Sequence, residues 1–98
     1  MILAQVSISP LGSDVSVSKY VKKVLRILEK EPVTCHTNAM ATVLEAETTD
    51  QLFSAVQHAH DALIHEPGVK RVITELKIDH RTDKEATFES KVKRIISE

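Results

Sequence analysis

Aromatic residues, which often line ligand sites, are scarce in this chain. Among its 98 residues are one tyrosine, two phenylalanines and no tryptophan, so aromatic residues make up 3%. Modules that bind single-stranded nucleic acid stack bases on aromatic side chains. None of the three aromatic residues falls on a predicted strand. The sequence therefore predicts no nucleic-acid partner and no aromatic stacking platform on the sheet.

The chain also lacks a surplus of charge of either sign and a long hydrophobic run. Thirteen lysines and arginines face fourteen aspartates and glutamates, for a net charge of −1. A nucleic-acid or anionic-membrane binder needs a basic surplus, and a membrane span needs about 20 apolar residues. Residues 1–7 lack the basic region and apolar run of a signal peptide. These absences predict a cytoplasmic protein with no membrane partner.

Cysteine and glycine are scarce as well. Cys35 is the single cysteine, which excludes an internal disulfide and a cysteine-based metal cage. A lone cysteine more often packs as a small apolar side chain than acts as a nucleophile. His58 and His60 are two residues apart on a predicted helix and face different directions, and no histidine set has metal-ligand spacing. The sequence predicts no catalytic residue, no metal and no cofactor, and a protein that is not an enzyme.

The spacing of hydrophobic residues along the chain predicts the helices and strands. Alternation with period two predicts strands, and apolar stripes at i, i+3, i+4 and i+7 predict helices. The first helix is expected to begin at Ser16 and end before Pro32, and the second to begin at Thr48 or Thr49. The last helix carries Phe88, Val92, Ile95 and Ile96. Strands are predicted at 2–9, 33–38, 41–47 and 69–79.

This order is β-α-β-β-α-β followed by a helix. Right-handed crossovers place the first two helices on one face of a four-stranded antiparallel sheet. The predicted fold class is therefore α+β, a ferredoxin-like sandwich with an extra C-terminal helix, with residues 1–98 as one domain. The other sheet face is left open with Leu3, Val43 and Ile73 on it. An uncovered, half-apolar face usually becomes an interface, so we expect a homo-oligomer.

Four polar residues form the candidate ligand site: Ser7, Asn38, Thr42 and Glu45. A carboxylate on a semi-apolar sheet face is costly unless it is paired. In a structural interpretation Glu45 pairs with Lys77 or Arg71. In a functional interpretation it receives a cation or a hydrogen-bonding heterocycle. The residues alone leave both open and favour the structural one.

Three segments carry a family resemblance: VSISPLG at 6–12, MATVLEAE at 40–47, and residues 71–84 followed by Lys91 and Val92. Together they resemble the thiamine-binding-protein family over nearly the whole chain. The resemblance implies a β-α-β-β-α-β-α subunit that forms dimers through its sheets, and often tetramers. It further implies binding of thiamine or its hydroxymethylpyrimidine moiety, without known catalysis.

The family hairpin pattern is Met-Gly-Thr-x-(Ile/Leu)-Glu-Gly. Thr42 and Glu45 match it, whereas Ala41 and Ala46 stand where the family has glycines. Two added methyl groups predict a narrower pocket. Glu45 suits a protonated aminopyrimidine through a charge-assisted hydrogen bond, and the other three polar residues can orient the ring.

A subunit this small is expected to bind its ligand near a subunit interface. The alternatives are a structural or regulatory homo-oligomer with no small-molecule ligand and, third, an enzyme acting on a cofactor precursor.

Overall fold

The computed structural model describes residues 1–12 and 17–97. Its elements in order are β1 (Ile2–Pro10), α1 (Val17–Glu29), β2 (Thr34–Thr37), β3 (Thr42–Ala46), α2 (Thr49–Ile64), β4 (Val72–Asp79) and α3 (Phe88–Ile96). The predicted fold class, an α+β sandwich in the order β-α-β-β-α-β with an added helix, is confirmed. The predicted cap at Ser16 lies outside the described residues.

The four strands form one antiparallel sheet in the order β2-β3-β1-β4. β1 lies between β3 and β4, and its register places Leu3 opposite Glu45 on one side and Asp79 on the other. Side chains alternate between the faces of a sheet. Leu3, Glu45 and Asp79 therefore share the face opposite to the one that packs on α1 and α2.

The core lies between that second face and helices α1 and α2. Its largest fully buried side chains come from both helices and β3: Leu28, Leu44, Leu52 and Leu63. The even-numbered residues Ile2 to Ile8 of β1 are buried in the same cluster. The alternation read from the sequence thus identified the strand face that forms the core.

The ends of α2 follow from local chemistry. The Thr48 side chain accepts a hydrogen bond from the Gln51 N–H, which satisfies one of the unpaired donors of the first turn. After the helix, Gly68 has a φ of +86°, which glycine adopts without steric cost. The Val69 N–H bonds to the Glu66 carbonyl within this turn. The fourth strand therefore begins at Val72 rather than at the predicted Val69.

Helix α3 lies on the otherwise open sheet face. The Phe88 N–H donates to the Glu45 carboxylate at 3.2 Å, and the Lys91 ammonium pairs with Asp79. These two anchors flank Leu3, so α3 crosses over it, and Leu3 is only 7% exposed. Thr87 and Ser90 form a capping box at the start of α3. Within the described residues, no helix is both long and apolar enough to cross a membrane.

Candidate functional site

The four predicted site residues do not converge on the open face. Ser7 and Glu45 lie on it, but Thr42 is three residues from Glu45 on β3 and points to the helices. An odd separation along a strand always puts two side chains on opposite faces. The structure therefore does not bring Thr42 and Glu45 of the candidate site together on one face.

Asn38 holds the hairpin between β2 and β3. Its Oδ1 accepts from the N–H groups of Met40, at 2.8 Å, and Ala41, at 3.0 Å. Its own N–H donates to the Ala41 carbonyl at 3.0 Å. This Asx-type turn occupies the amide oxygen. What Asn38 can still offer a ligand is its side-chain NH2 group.

Three of the predicted residues line one cleft at the hairpin end of the sheet. Ser7, Asn38 and Thr42 lie there beside Ala41 and the apolar side of α1, around a volume of about 160 Å³. A cavity of roughly 150 Å³ holds a benzene-sized molecule, so the cleft has room for one ring. Ala46 is absent from its lining and belongs to the buried core. Of the two alanines, only Ala41 lines this cleft.

Glu45 belongs to a different cluster. One carboxylate oxygen lies 2.6 Å from His36 Nε2, and the other accepts the Phe88 N–H at 3.2 Å. The Glu45 side chain is 12% exposed. Among the described residues, its partners are these two and neither Lys77 nor Arg71. Lys77 is on β4, two strands and roughly 10 Å from β3, which explains why the pairing of the structural interpretation does not form within one chain.

An aromatic stack completes this cluster. The rings of His36 and Phe88 are parallel within 11°, with centroids 3.9 Å apart. The prediction of no stacking platform on the sheet is therefore wrong. More than half of the chain separates these two residues. Thr87 and Ser90 signal a helix start in the sequence, but no sequence pattern indicates that this helix packs back on β2 and β3.

The Cys35 thiol is partly buried, and two of the histidines have hydrogen-bond partners elsewhere in the fold. Burial, and secondly the charge of Glu29, raise the pKa of the Cys35 thiol, so it stays protonated near neutral pH. His58 Nδ1 lies 2.5 Å from a Glu31 oxygen, and His60 Nδ1 lies 2.6 Å from the Thr74 hydroxyl. Within residues 1–12 and 17–97, no three metal-ligating side chains come together.

Comparisons with known proteins agree with this architecture. The family model described as "Thiamine-binding protein" matches residues 4–96. The UPF0045 protein MJ1052 of Methanocaldococcus jannaschii is 47% identical over 94 residues, covering 96% of this chain and 91% of that protein. Its crystal structure superposes with a TM-score of 0.87, covering 96% of this chain and 94% of that one.

Two further relatives extend the comparison. The UPF0045 protein YqgV of Bacillus subtilis is 38% identical over 100 residues, covering 97% of this chain and 94% of that protein. A Thermotoga maritima protein, named as a candidate thiamine biosynthesis or salvage protein, superposes with a TM-score of 0.81. It is 17% identical, covering 96% of this chain and 97% of that one, so its likeness concerns the fold. With a family model matched over nearly its whole length, this chain belongs to the thiamine-binding protein family.

Proposed function

We propose that the protein is a non-catalytic binder of thiamine or its hydroxymethylpyrimidine moiety. We place the ligand at the carboxylate–aromatic cluster of Glu45, His36 and Phe88, on the sheet face crossed by α3. Membership of the thiamine-binding family supports the ligand class. The single observation that supports the place is the largely buried Glu45 carboxylate beside the parallel His36 and Phe88 rings.

The carboxylate has hydrogen-bonding capacity to spare. Among the residues that the structure describes, each Glu45 oxygen has one partner, whereas an ionised carboxylate offers about four acceptor sites. The aminopyrimidine of thiamine carries an exocyclic amine that donates hydrogen bonds and a ring nitrogen that becomes a donor when it is protonated. Either donor can bond to a Glu45 oxygen. Low exposure of Glu45 strengthens such bonds because water competes less for them.

The two rings supply an apolar, polarizable surface for a flat ligand. Phe88 and His36 are each partly exposed, so the stack has room for a ring at its edge or outer face. Offset and parallel ring pairs add about 0.5–1.5 kcal/mol beyond burial. The cationic thiazolium of thiamine is also attracted to an aromatic face and to the Glu45 carboxylate. Ser7, Asn38 and Thr42 contribute less in this proposal because they line the separate hairpin cleft.

Calorimetry with thiamine and with hydroxymethylpyrimidine tests the proposal. Glu45→Gln keeps the shape and removes the charge, so we expect affinity to fall by roughly tenfold or more, as for loss of a charged hydrogen bond. Glu75→Gln is the matched control, since Glu75 is an exposed carboxylate on the same face, opposite Ser7. No heat at millimolar ligand, or equal weakening in both variants, would contradict this placement.

The second candidate is a structural or regulatory homo-oligomer without a small-molecule ligand. One observation favours it: His36 and Phe88 already give each Glu45 oxygen a partner without any ligand. It predicts an intact oligomer that gives no calorimetric signal with either compound. In both candidates we propose that a second copy, in a dimer or tetramer, packs near the face that carries α3.

A further inference from the structure

The loop between β4 and α3, together with the start of α3, encloses a second cleft that the proposed function does not use. Its volume is about 210 Å³. Four cationic side chains line it: Arg81, Lys84, Lys91 and Arg94. One carboxylate, Glu85, also lines it. On a chain with a net charge of −1, this is a local concentration of positive charge.

Two of the four cations are already neutralised. Arg81 forms a bidentate pair with Asp83, at 2.6 and 2.7 Å, and Lys91 pairs with Asp79. Lys84 and Arg94 have no carboxylate partner among residues 1–12 and 17–97. The Glu85 carboxylate contacts the Met1 amino group at 2.5 Å instead. The cleft therefore holds two cations that are not neutralised within the described chain.

These cations also repel one another. The positive charge of Arg94, then that of Arg81, and then a small loss of solvation lower the pKa of the Lys84 ammonium. Like charges lower a lysine pKa only when they are close. A negative group placed between Lys84 and Arg94 would turn this repulsion into two attractions.

We propose that the cleft binds a phosphate group. Arginine and lysine are the usual phosphate ligands, the first as a planar fork and the second as a point charge. Two unneutralised cations match the charge of about −2 that a phosphate carries near neutral pH. Backbone donors contribute little, since the N–H groups of Phe88 and Ser90 already bond to Glu45 and Thr87. The proposed site therefore depends on side chains, so amino-acid substitutions can test it directly.

The phosphate has two possible sources with the same chemistry. It is either free inorganic phosphate or the phosphate ester of an organic ligand. Ser90 lines the cleft and lies two residues from Phe88 of the carboxylate–aromatic cluster. A phosphorylated form of the ligand proposed above is therefore one of the two sources. The anion site itself does not depend on that ligand.

Titration calorimetry of the full chain with inorganic phosphate, thiamine and thiamine monophosphate tests the inference. The test variant is Lys84→Ala with Arg94→Ala. The control is Lys70→Ala with Lys93→Ala, which removes the same charge from exposed positions outside the cleft. We expect the test variant to lose roughly ten- to a hundredfold in phosphate affinity, the range for charged hydrogen bonds, and the control to stay within about twofold.

The outcomes separate this inference from the proposed function. Inorganic phosphate that binds in a Lys84- and Arg94-dependent way supports the site as a free-anion site. A preference for thiamine monophosphate over thiamine that disappears in the test variant supports the ester. If phosphate gives no heat at about 10 mM and the ester binds no better than thiamine, or if the control loses as much affinity, the inference fails. Thiamine binding at Glu45 would then stand unaffected.

Discussion

Glu45 illustrates how one side chain connects two parts of the molecule. Its carboxylate bonds to His36 of β2 and to the first N–H of α3. The Phe88 ring also stacks on the ring of His36. A strand pair and a helix distant in sequence are therefore joined by three residues. Loss of either ring removes the stack and leaves the carboxylate more open to water.

Phe88→Ala is the direct test of this stack. We expect the free energy of unfolding to fall by about 1–3 kcal/mol, the sum of a lost aromatic pair and part of a phenylalanine's burial. Phe53→Ala is the matched control, because Phe53 is 51% exposed on α2 and lies outside the buried core. Urea unfolding followed by far-ultraviolet circular dichroism measures both. Equal losses in the two variants would show that the stack adds nothing.

At the scale of elements, sequence rules accounted for what is local. Alternation identified β1, β3 and their buried faces, and Thr48 was one of two expected caps for α2. The stack of Phe88 on His36 was not predictable in the same way. It depends on where the β4–α3 loop carries the helix, and that path is set by tertiary contacts rather than by the residues near 88. Thr42 is a different case, since strand alternation alone already separates it from Glu45.

Thr48→Ala tests the start of α2. The substitution removes the acceptor for the Gln51 N–H, so we expect a loss of about 1 kcal/mol in the free energy of unfolding. Thr49→Ala serves as control, since Thr49 is the first helical residue and is exposed. Chemical denaturation monitored by circular dichroism measures the difference. A Thr49 variant as unstable as the Thr48 variant would contradict the capping role.

The attachment of α3 should depend on acid. The hydrogen bond from Lys91, and then its charge, lower the pKa of the Asp79 carboxyl below its ordinary value of 3.8. Because the folded-state value lies below the unfolded one, the contribution of this pair is complete well above pH 3.8. It is lost as the pH falls through the lowered folded-state value. We expect α3 to loosen over that interval.

The backbone amide NMR signals of α3, compared with those of α1 over the same pH range, monitor this loosening. Asp79→Asn should remove the acid step and leave α3 less firmly held at neutral pH. Asp83→Asn is the control, because Asp83 also has a lowered pKa but pairs with Arg81 within the loop. An acid step that persists unchanged in the Asp79 variant would show that another group is responsible.

The whole molecule is longer than its size requires. Its extents are 46 × 29 × 19 Å and its radius of gyration is 14.5 Å, whereas a compact chain of this length has about 12–13 Å. Helix α3 leaves Ile95 80% and Ile96 75% exposed. Adjacent exposed apolar side chains are typical of interaction sites. A second copy of the chain is the occupant that we propose.

Ile95→Lys with Ile96→Lys tests this at the scale of the assembly. For the unsubstituted chain we expect a dimer or tetramer at micromolar concentration by light scattering after size exclusion. For the variant we expect a shift to monomer, because two buried charges have no partners at such an interface. Lys93→Ala is a control on the same helix. A monomer in the unsubstituted chain would contradict the proposed oligomer.

The position of β1 in the middle of the sheet determines the timing of folding. Its two neighbours are β3, which begins more than thirty residues after β1 ends, and β4, which begins more than sixty residues after β1 ends. During synthesis β1 can pair with β3 once about half of the chain has left the ribosome, but with β4 only after most of it has. Closing such long loops slows folding relative to a helical bundle of equal size. Until β4 arrives, one edge of the most apolar strand stays open to other nascent chains.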